Sequence, residues 1–290
     1  MQNSSLLFIT FLVVFFILRY VYERKKRQLA YSNVCPEPEI SETDIVFDGD
    51  EVGITEAQIE HILSKRQAYY GSLDTEQKKR FIQRLKKFLH KKTFIIKDHE
   101  GVREMPVLVS AAAIQLTFGL KDYLLPFYKY IRIYPEEYAS DHSFAILAGN
   151  VQNNVITVAW NQVLNGLSNN ADGANVGLHE MSHALYIQKM VMEKDYAQSF
   201  SSHYGYLEET CAVASRFELK GEKNLYSPYA DTNLQEFWAE TIELFFEKPN
   251  DLNNYYPEVF QAAKVLLNQD PRNQENPVID LKITRRLGIW

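Results

Sequence analysis

The sequence contains few cysteines, and this scarcity excludes the fold classes that depend on them. Its two cysteines, Cys35 and Cys211, lie far apart in a chain of 290 residues. Two cysteines cannot form the disulfide framework of a small secreted domain, and neither belongs to a Cys-x-x-Cys pair of the kind that binds zinc. Two free thiols in a reducing compartment are therefore favoured over one disulfide between them.

Positive charge is not in excess either, since the formal net charge is −6. Nucleic-acid binding needs a clustered positive surface, so no nucleic-acid partner is expected. The chain also has no internal repeat and no low-complexity tract. Its length suits one large domain with accessory segments, and its apolar fraction of 46% is sufficient for the core of such a domain.

An uninterrupted apolar run covers residues 6–18, and Tyr20–Tyr22 extend it beyond Arg19 to about 17 residues, the short end of a membrane span. A basic cluster follows within residues 23–27. A secretory signal peptide would carry its positive charge before the run and a small-residue cleavage site after it, and neither is found. We therefore expect an uncleaved single-pass anchor, with a cleaved signal or a buried core helix as alternatives. The positive-inside rule then predicts that the rest of the chain is cytoplasmic.

Composition divides the chain into four segments. Residues 1–27 are the expected N-terminal transmembrane helix with its basic flank, and 28–53 are a polar, proline-containing linker. Residues 54–270 form the expected main domain, and 271–290 form a C-terminal tail.

Hydrophobic periodicity predicts an α+β domain that is mostly helical, with a small β-sheet. The predicted helices cover Ile54–Tyr70, Thr75–His90, Val107–Leu116, Ala174–Val191, Glu208–Glu218, Asn233–Phe246 and Tyr256–Leu267. The predicted strands cover Tyr130–Tyr134, Phe144–Leu147 and Val155–Trp160, with a turn at Gly149–Asn154 and a polar loop at Gly166–Gly173.

The motif His179-Glu180-Met181-Ser182-His183 carries the strongest chemical signal. Residues four apart on a helix share one face, so His179 and His183 can hold one zinc ion. Glu180 follows the first histidine and suits the base that accepts a proton from a metal-bound water. Asn170 or Asp172 is expected to cap this helix. Two solvent-facing histidines would be the bland alternative, but the surrounding segment is largely apolar, and polar groups there need partners.

A catalytic zinc needs a third protein ligand and an open position for water, whereas structural zinc sites usually have four protein ligands. The predicted helix at Asn233–Phe246 places Glu236, Glu240 and Glu243 on one face among aromatic residues. Spacing favours Glu236 as the third ligand, and Glu240 and Glu243 remain alternatives. Glu240 is expected to accept a hydrogen bond from a zinc-binding histidine.

Residues 151–185, together with residues 229–246, resemble the Mlc titration factor A family of zinc peptidases. The stretch from Asp172 to Leu185, DGANVGLHEMSHAL, is far more specific than a bare HExxH motif. The similarity continues upstream through Tyr70–Leu73, Phe88–Lys92 and Val107–Leu120, so it covers nearly all of the main domain.

The resemblance implies a zincin-like metallopeptidase fold, with one catalytic zinc ion held by His179, His183 and Glu236. It also implies that Glu180 is the general base and that Tyr229 donates a hydrogen bond to the tetrahedral oxyanion, as in the similar active site of the anthrax lethal factor catalytic domain. Aminopeptidase-like action on short peptides, and binding to a glucose-related transcriptional repressor, are further implications.

The sequence departs from the family pattern after the second histidine. Ala184–Tyr186 differ from the usual residues, and Glu193–Tyr206 replace a proline-rich loop. These departures affect the substrate groove and leave the metal ligands intact. The rival interpretation is a membrane-tethered protein that binds a regulator and uses zinc only as a structural brace, and a metallohydrolase of non-peptide amides is a second rival.

Overall fold

The computed structural model describes residues 35–98, 102–140, 145–188 and 225–273. The predicted anchor, the predicted helix at 208–218 and Cys211 lie outside these residues, so those predictions stay open. Within the described part of the chain, no helix has the length and apolarity that crossing a bilayer requires. The described residues from Glu39 onward belong to one compact unit.

Seven strands are described: β1 (Ile45–Asp48), β2 (Thr93–Ile96), β3 (Tyr130–Tyr134), β4 (Tyr138–Ala139), β5 (Ile146–Leu147), β6 (Gly149–Gln152) and β7 (Val155–Ala159). Five of them form a sheet in the order β1-β2-β3-β7-β6, and β4 pairs with β5 in a separate two-stranded ribbon. The central pairs β2–β3 and β3–β7 are parallel, and the outer pairs β1–β2 and β7–β6 are antiparallel. The outer strand β6 is the one that borders the candidate site.

The described helices are α1 (Glu56–Arg66), α2 (Ala68–Ser72), α3 (Thr75–His90), α4 (Glu104–Thr117), α5 (Trp160–Ser168), α6 (Val176–Ile187), α7 (Leu234–Glu247), α8 (Pro249–Tyr255) and α9 (Pro257–Leu267). Short 3₁₀ helices cover Gly49–Val52 and Pro228–Thr232. The predicted α+β class, mostly helical with a small sheet, is confirmed.

Helix α4 lies at the centre of the core, because all its residues from Met105 to Thr117 are buried. Helix α6 packs closely on it at Gly177, where an added Cβ would lie 3.1 Å from the Cβ of Ala112. On its other side α6 contacts α7. The helix that carries both histidines is therefore enclosed between two other helices, which fixes its rotation.

Several parts of the predicted secondary structure were wrong. The single helix predicted at Ile54–Tyr70 is divided at Gln67 into α1 and α2. The turn predicted at Gly149–Asn154 is mostly strand β6, and only Asn153 takes a left-handed backbone, with φ of 53°. The segment predicted as a linker contains β1, which pairs with β2. Strands β1 and β6 have four residues each, and such short strands are defined by pairing with distant residues rather than by their local sequence pattern. The polar loop predicted from Gly166 begins three residues later, at Asn169, because α5 continues to Ser168.

Candidate metal centre

Helix α6 begins at a well-defined cap and presents both motif histidines on one face. The side chain of Asn175 accepts a hydrogen bond from the backbone N–H of Leu178 at 3.1 Å, so Asn175 is the N-cap rather than the predicted Asn170 or Asp172. One turn separates His179 from His183, and their ring centroids lie 4.8 Å apart.

Helix α7 supplies the acidic partner of the histidines. The side chain of Asn233 accepts hydrogen bonds from the backbone N–H groups of Gln235 and Glu236, which starts the helix and places Glu236 in its first turn. The indole N–H of the buried Trp238 donates to the carbonyl of Ser182 on α6 at 3.1 Å. This contact joins the two helices beside the site and holds them in register.

Three ligand atoms converge between these helices. The Nε2 of His179 lies 3.0 Å from Oε2 of Glu236 and 3.2 Å from Nε2 of His183, and the third side of this triangle, from His183 to Glu236, is 3.4 Å. Ligands about 2.05 Å from a tetrahedral zinc ion are separated by about 3.3 Å from each other. Among the described residues, His179, His183 and Glu236 lie close enough to one another to hold a metal ion. The distances between their ligand atoms fit a tetrahedral zinc ion.

The charges of this group support the same interpretation. Burial lowers the pKa of His179, but its hydrogen bonds with Glu236 and Glu243 outweigh burial and raise that pKa to about 10. Burial raises the pKa of Glu236, but the two histidines outweigh it and lower that pKa to about 2. An anionic carboxylate thus lies against two imidazoles. A metal cation bound here would replace the proton that the group holds when no metal is bound.

Glu180 lies beside this triangle, against the outer strand of the sheet. Its side chain is buried, and burial, with the charges of Glu236 and Glu243, raises its pKa to about 8 despite the opposing effect of His179. An added Cβ on Gly149 of β6 would lie only 2.5 Å from Cγ and Oε1 of Glu180. The strand and the carboxylate fit together because this position has no side chain.

Tyr229 lies in the 3₁₀ helix that precedes α7, and 57% of its surface is exposed. Its pKa is raised by burial and by the charges of Glu236, Glu180 and Glu240. A phenol with a raised pKa stays protonated and can donate a hydrogen bond. The structure therefore brings His179, His183 and Glu236 together, and Tyr229 lies on the 3₁₀ helix that contacts α7.

Two further acids of α7, Glu240 and Glu243, differ from the prediction in their partners. Glu240 accepts hydrogen bonds from the backbone N–H and the hydroxyl of Ser227, which lies two residues before Tyr229. Glu243, not Glu240, lies beside His179, with Oε1 3.4 Å from Nδ1. Both spacings suit one helix face, so the sequence offered no signal that separated these roles.

Comparison with known proteins agrees with this geometry. The sequence model of the glucose-regulated metallo-peptidase M90 family matches residues 51–266. An uncharacterised protein of Synechocystis sp., slr2042, is 25% identical over 228 residues, which cover 70% of this chain and 80% of that protein. The resemblance drawn from the motifs is confirmed by the family match.

Proposed function

The chain belongs to the glucose-regulated metallo-peptidase M90 family, whose membership implies metallopeptidase activity, and from this premise we propose a zinc-dependent peptidase of zincin-like fold. The observation that carries the proposal is the triangle of His179, His183 and Glu236, whose sides of 3.0–3.4 Å suit a tetrahedral zinc ion. Three protein ligands leave one position for water or substrate, which favours catalysis over a structural role.

The bound zinc would polarise the scissile carbonyl and acidify water. Glu180 would take a proton from the attacking water and deliver it to the leaving amine, since its pKa of about 8 suits transfer in both directions near neutral pH. Tyr229 would donate its phenolic hydrogen to the oxyanion. Burial of Glu180 keeps bulk water from competing for that proton.

A peptide is the expected substrate because of the strand beside the base. Strand β6 is one of the two outer strands of the described five-stranded sheet, and Gly149 at its start lies against Glu180. An extended peptide that added to this edge would carry its backbone carbonyls past the base and the metal ligands. Aminopeptidase-like action is the finer proposal, and it follows from the family resemblance.

The test combines metal content with peptide cleavage. Wild-type protein is expected to bind one zinc ion and to cleave members of a panel of peptides and chromogenic amino-acid amides, with loss of activity on chelation and recovery on adding zinc. Glu180→Gln should retain zinc and lose hydrolysis, whereas Glu258→Gln, an exposed glutamate of α9, should retain both. Cleavage that persists in Glu180→Gln would exclude the proposed base, and no chelator-sensitive cleavage would favour a zinc-braced regulator-binding protein.

We also propose that the domain acts at the cytoplasmic face of a membrane, anchored by residues 6–22, and that it binds a transcriptional repressor. The apolar run with its one-sided basic cluster supports the first proposal, and the family resemblance supports the second. Digestion of the domain by protease added outside intact cells would contradict the cytoplasmic placement.

A further inference from the structure

A carboxylate of α7 contacts both the first turn of the histidine-bearing helix and the first histidine itself. Oε1 of Glu243 accepts a hydrogen bond from the backbone N–H of Asn175, the N-cap of α6, at 3.0 Å. The same oxygen lies 3.4 Å from Nδ1 of His179. The Glu243 side chain is only 8% exposed, so bulk water screens this contact little.

The two nitrogens of His179 therefore face different partners. Nε2 faces Glu236 and His183 within the metal-binding triangle, and Nδ1 faces Glu243. A neutral imidazole carries one N–H, and Nε2 can bind a metal only when that hydrogen is on Nδ1. A carboxylate only accepts hydrogen bonds, so its position beside Nδ1 selects this tautomer.

We propose that Glu243 is a positioning residue that orients His179 for metal binding and fixes its tautomer, which deepens and rests on the proposed function. It acts through His179 and needs no contact with substrate. Carboxylates that hold metal-binding histidines in this way contribute about 10–100-fold to metal affinity. The bond to Asn175 fixes the carboxylate relative to the start of α6, so the histidine is oriented by its own helix and by α7 together.

The neighbouring acids provide the contrast that makes the proposal specific. Glu240 accepts its hydrogen bonds from Ser227. Glu247, one turn beyond Glu243, accepts from the backbone N–H of Gly173 and from the side chain of Asn175, each at 3.0 Å. Glu247 thus anchors the start of α6 as Glu243 does, but among the described residues it forms no hydrogen bond or ion pair with a histidine, so it is the matched control.

The experiment compares Glu243→Ala, Glu243→Gln and Glu247→Gln in the full-length chain. Zinc dissociation constants are measured by competition with a chromophoric chelator, and thermal unfolding is measured on metal-free protein. Glu243→Ala should weaken zinc binding by about 10–100-fold. Glu243→Gln should lose less, because one amide oxygen can still accept from both Asn175 and His179. Glu247→Gln should lower the unfolding temperature, because it loses one of two hydrogen bonds, with zinc affinity within about threefold of wild type.

A second readout follows the tautomer directly. Nitrogen-15 shifts of His179 in zinc-loaded protein should report Nδ1–H in the wild type, with faster exchange of that proton in Glu243→Ala. An unchanged zinc affinity in Glu243→Ala would overturn the proposal, and so would an equal loss in Glu247→Gln, which would assign the effect to anchoring of α6. Wild-type protein that binds zinc but cleaves no peptide would contradict the proposed function alone, whereas protein that binds no zinc would overturn both.

Discussion

Gly149 packs so closely against the candidate base, Glu180, that adding a single methyl group at this glycine is an informative perturbation. In Gly149→Ala, the new Cβ would lie 2.5 Å from Cγ and Oε1 of Glu180 and 2.6 Å from Cδ. Carbon atoms pack at about 3.5–4.0 Å, so the carboxylate must move by about 1 Å. Because Glu180 is buried, it cannot relieve the contact by turning into solvent.

This displacement acts on the base and spares the metal ligands. A misplacement of about 1 Å costs about 10²-fold in rate, which corresponds to about 2.7 kcal/mol in the activation free energy. Gly149→Ala is therefore expected to lower kcat for peptide hydrolysis by about 100-fold. Zinc affinity should remain within about threefold, because the three atoms nearest to the new Cβ all belong to Glu180 and none to His179, His183 or Glu236.

The assay measures kcat on a chromogenic peptide amide, with zinc content and thermal unfolding measured on the same preparation. Gly71→Ala is the control, since its added Cβ meets no atom within 4 Å and it lies in α2. It should keep full activity and gain about 0.5–1 kcal/mol of stability. If Gly149→Ala retained more than half of the wild-type kcat, the inferred contact between β6 and the base would be refuted.

Three further predictions concern other groups. Tyr229→Phe should lower kcat by about 10²–10³-fold without changing zinc affinity, and an unaltered kcat would exclude an oxyanion role. Zinc binding at pH 8 should release about one proton from His179, because the pKa of this histidine is about 10 without metal. Calorimetry in buffers of different ionisation enthalpy measures this release, and finding none would contradict the prediction. Burial lowers the pKa of Lys92 to about 7 from 10.5, so the unfolded chain binds more protons between these values and stability should rise with pH across that window. In Lys92→Met, the free energy of unfolding measured with urea should not show this rise with pH.

Local patterns predicted most of the longer helices, because helix signals lie within the helix itself, but they missed α5 and α8. Helix α3 begins and ends at the predicted residues, Thr75 and His90, since Asp74 and Gln77 form a capping box and the apolar residues repeat along one face. Strands β1, β2 and β6 were missed as strands. Each has only four residues, and its pairing partner is not specified by its own sequence.

The candidate site likewise contains residues whose roles could be predicted from the sequence and residues whose roles could not. His179, Glu180 and His183 were predictable because one helical turn relates them. The separate roles of Glu240 and Glu243 were not, because both spacings from Glu236 suit the same face. Which of them meets His179 depends on the rotation of α7 relative to α6, and packing of the two helices sets that rotation.

Helix α7 organises the whole site through four acidic side chains with four different partners. One faces the metal-binding histidines, one holds the turn that carries Tyr229, one lies beside Nδ1 of His179, and one anchors the start of α6; they are Glu236, Glu240, Glu243 and Glu247. A shift of α7 by one residue would rotate every one of them by about 100°. The hydrogen bond from Trp238 to Ser182 opposes such a shift from within the buried interface. Under the proposed function, metal binding and the placement of Tyr229 would therefore depend on one helix register, so perturbations of the α6–α7 interface should impair both together.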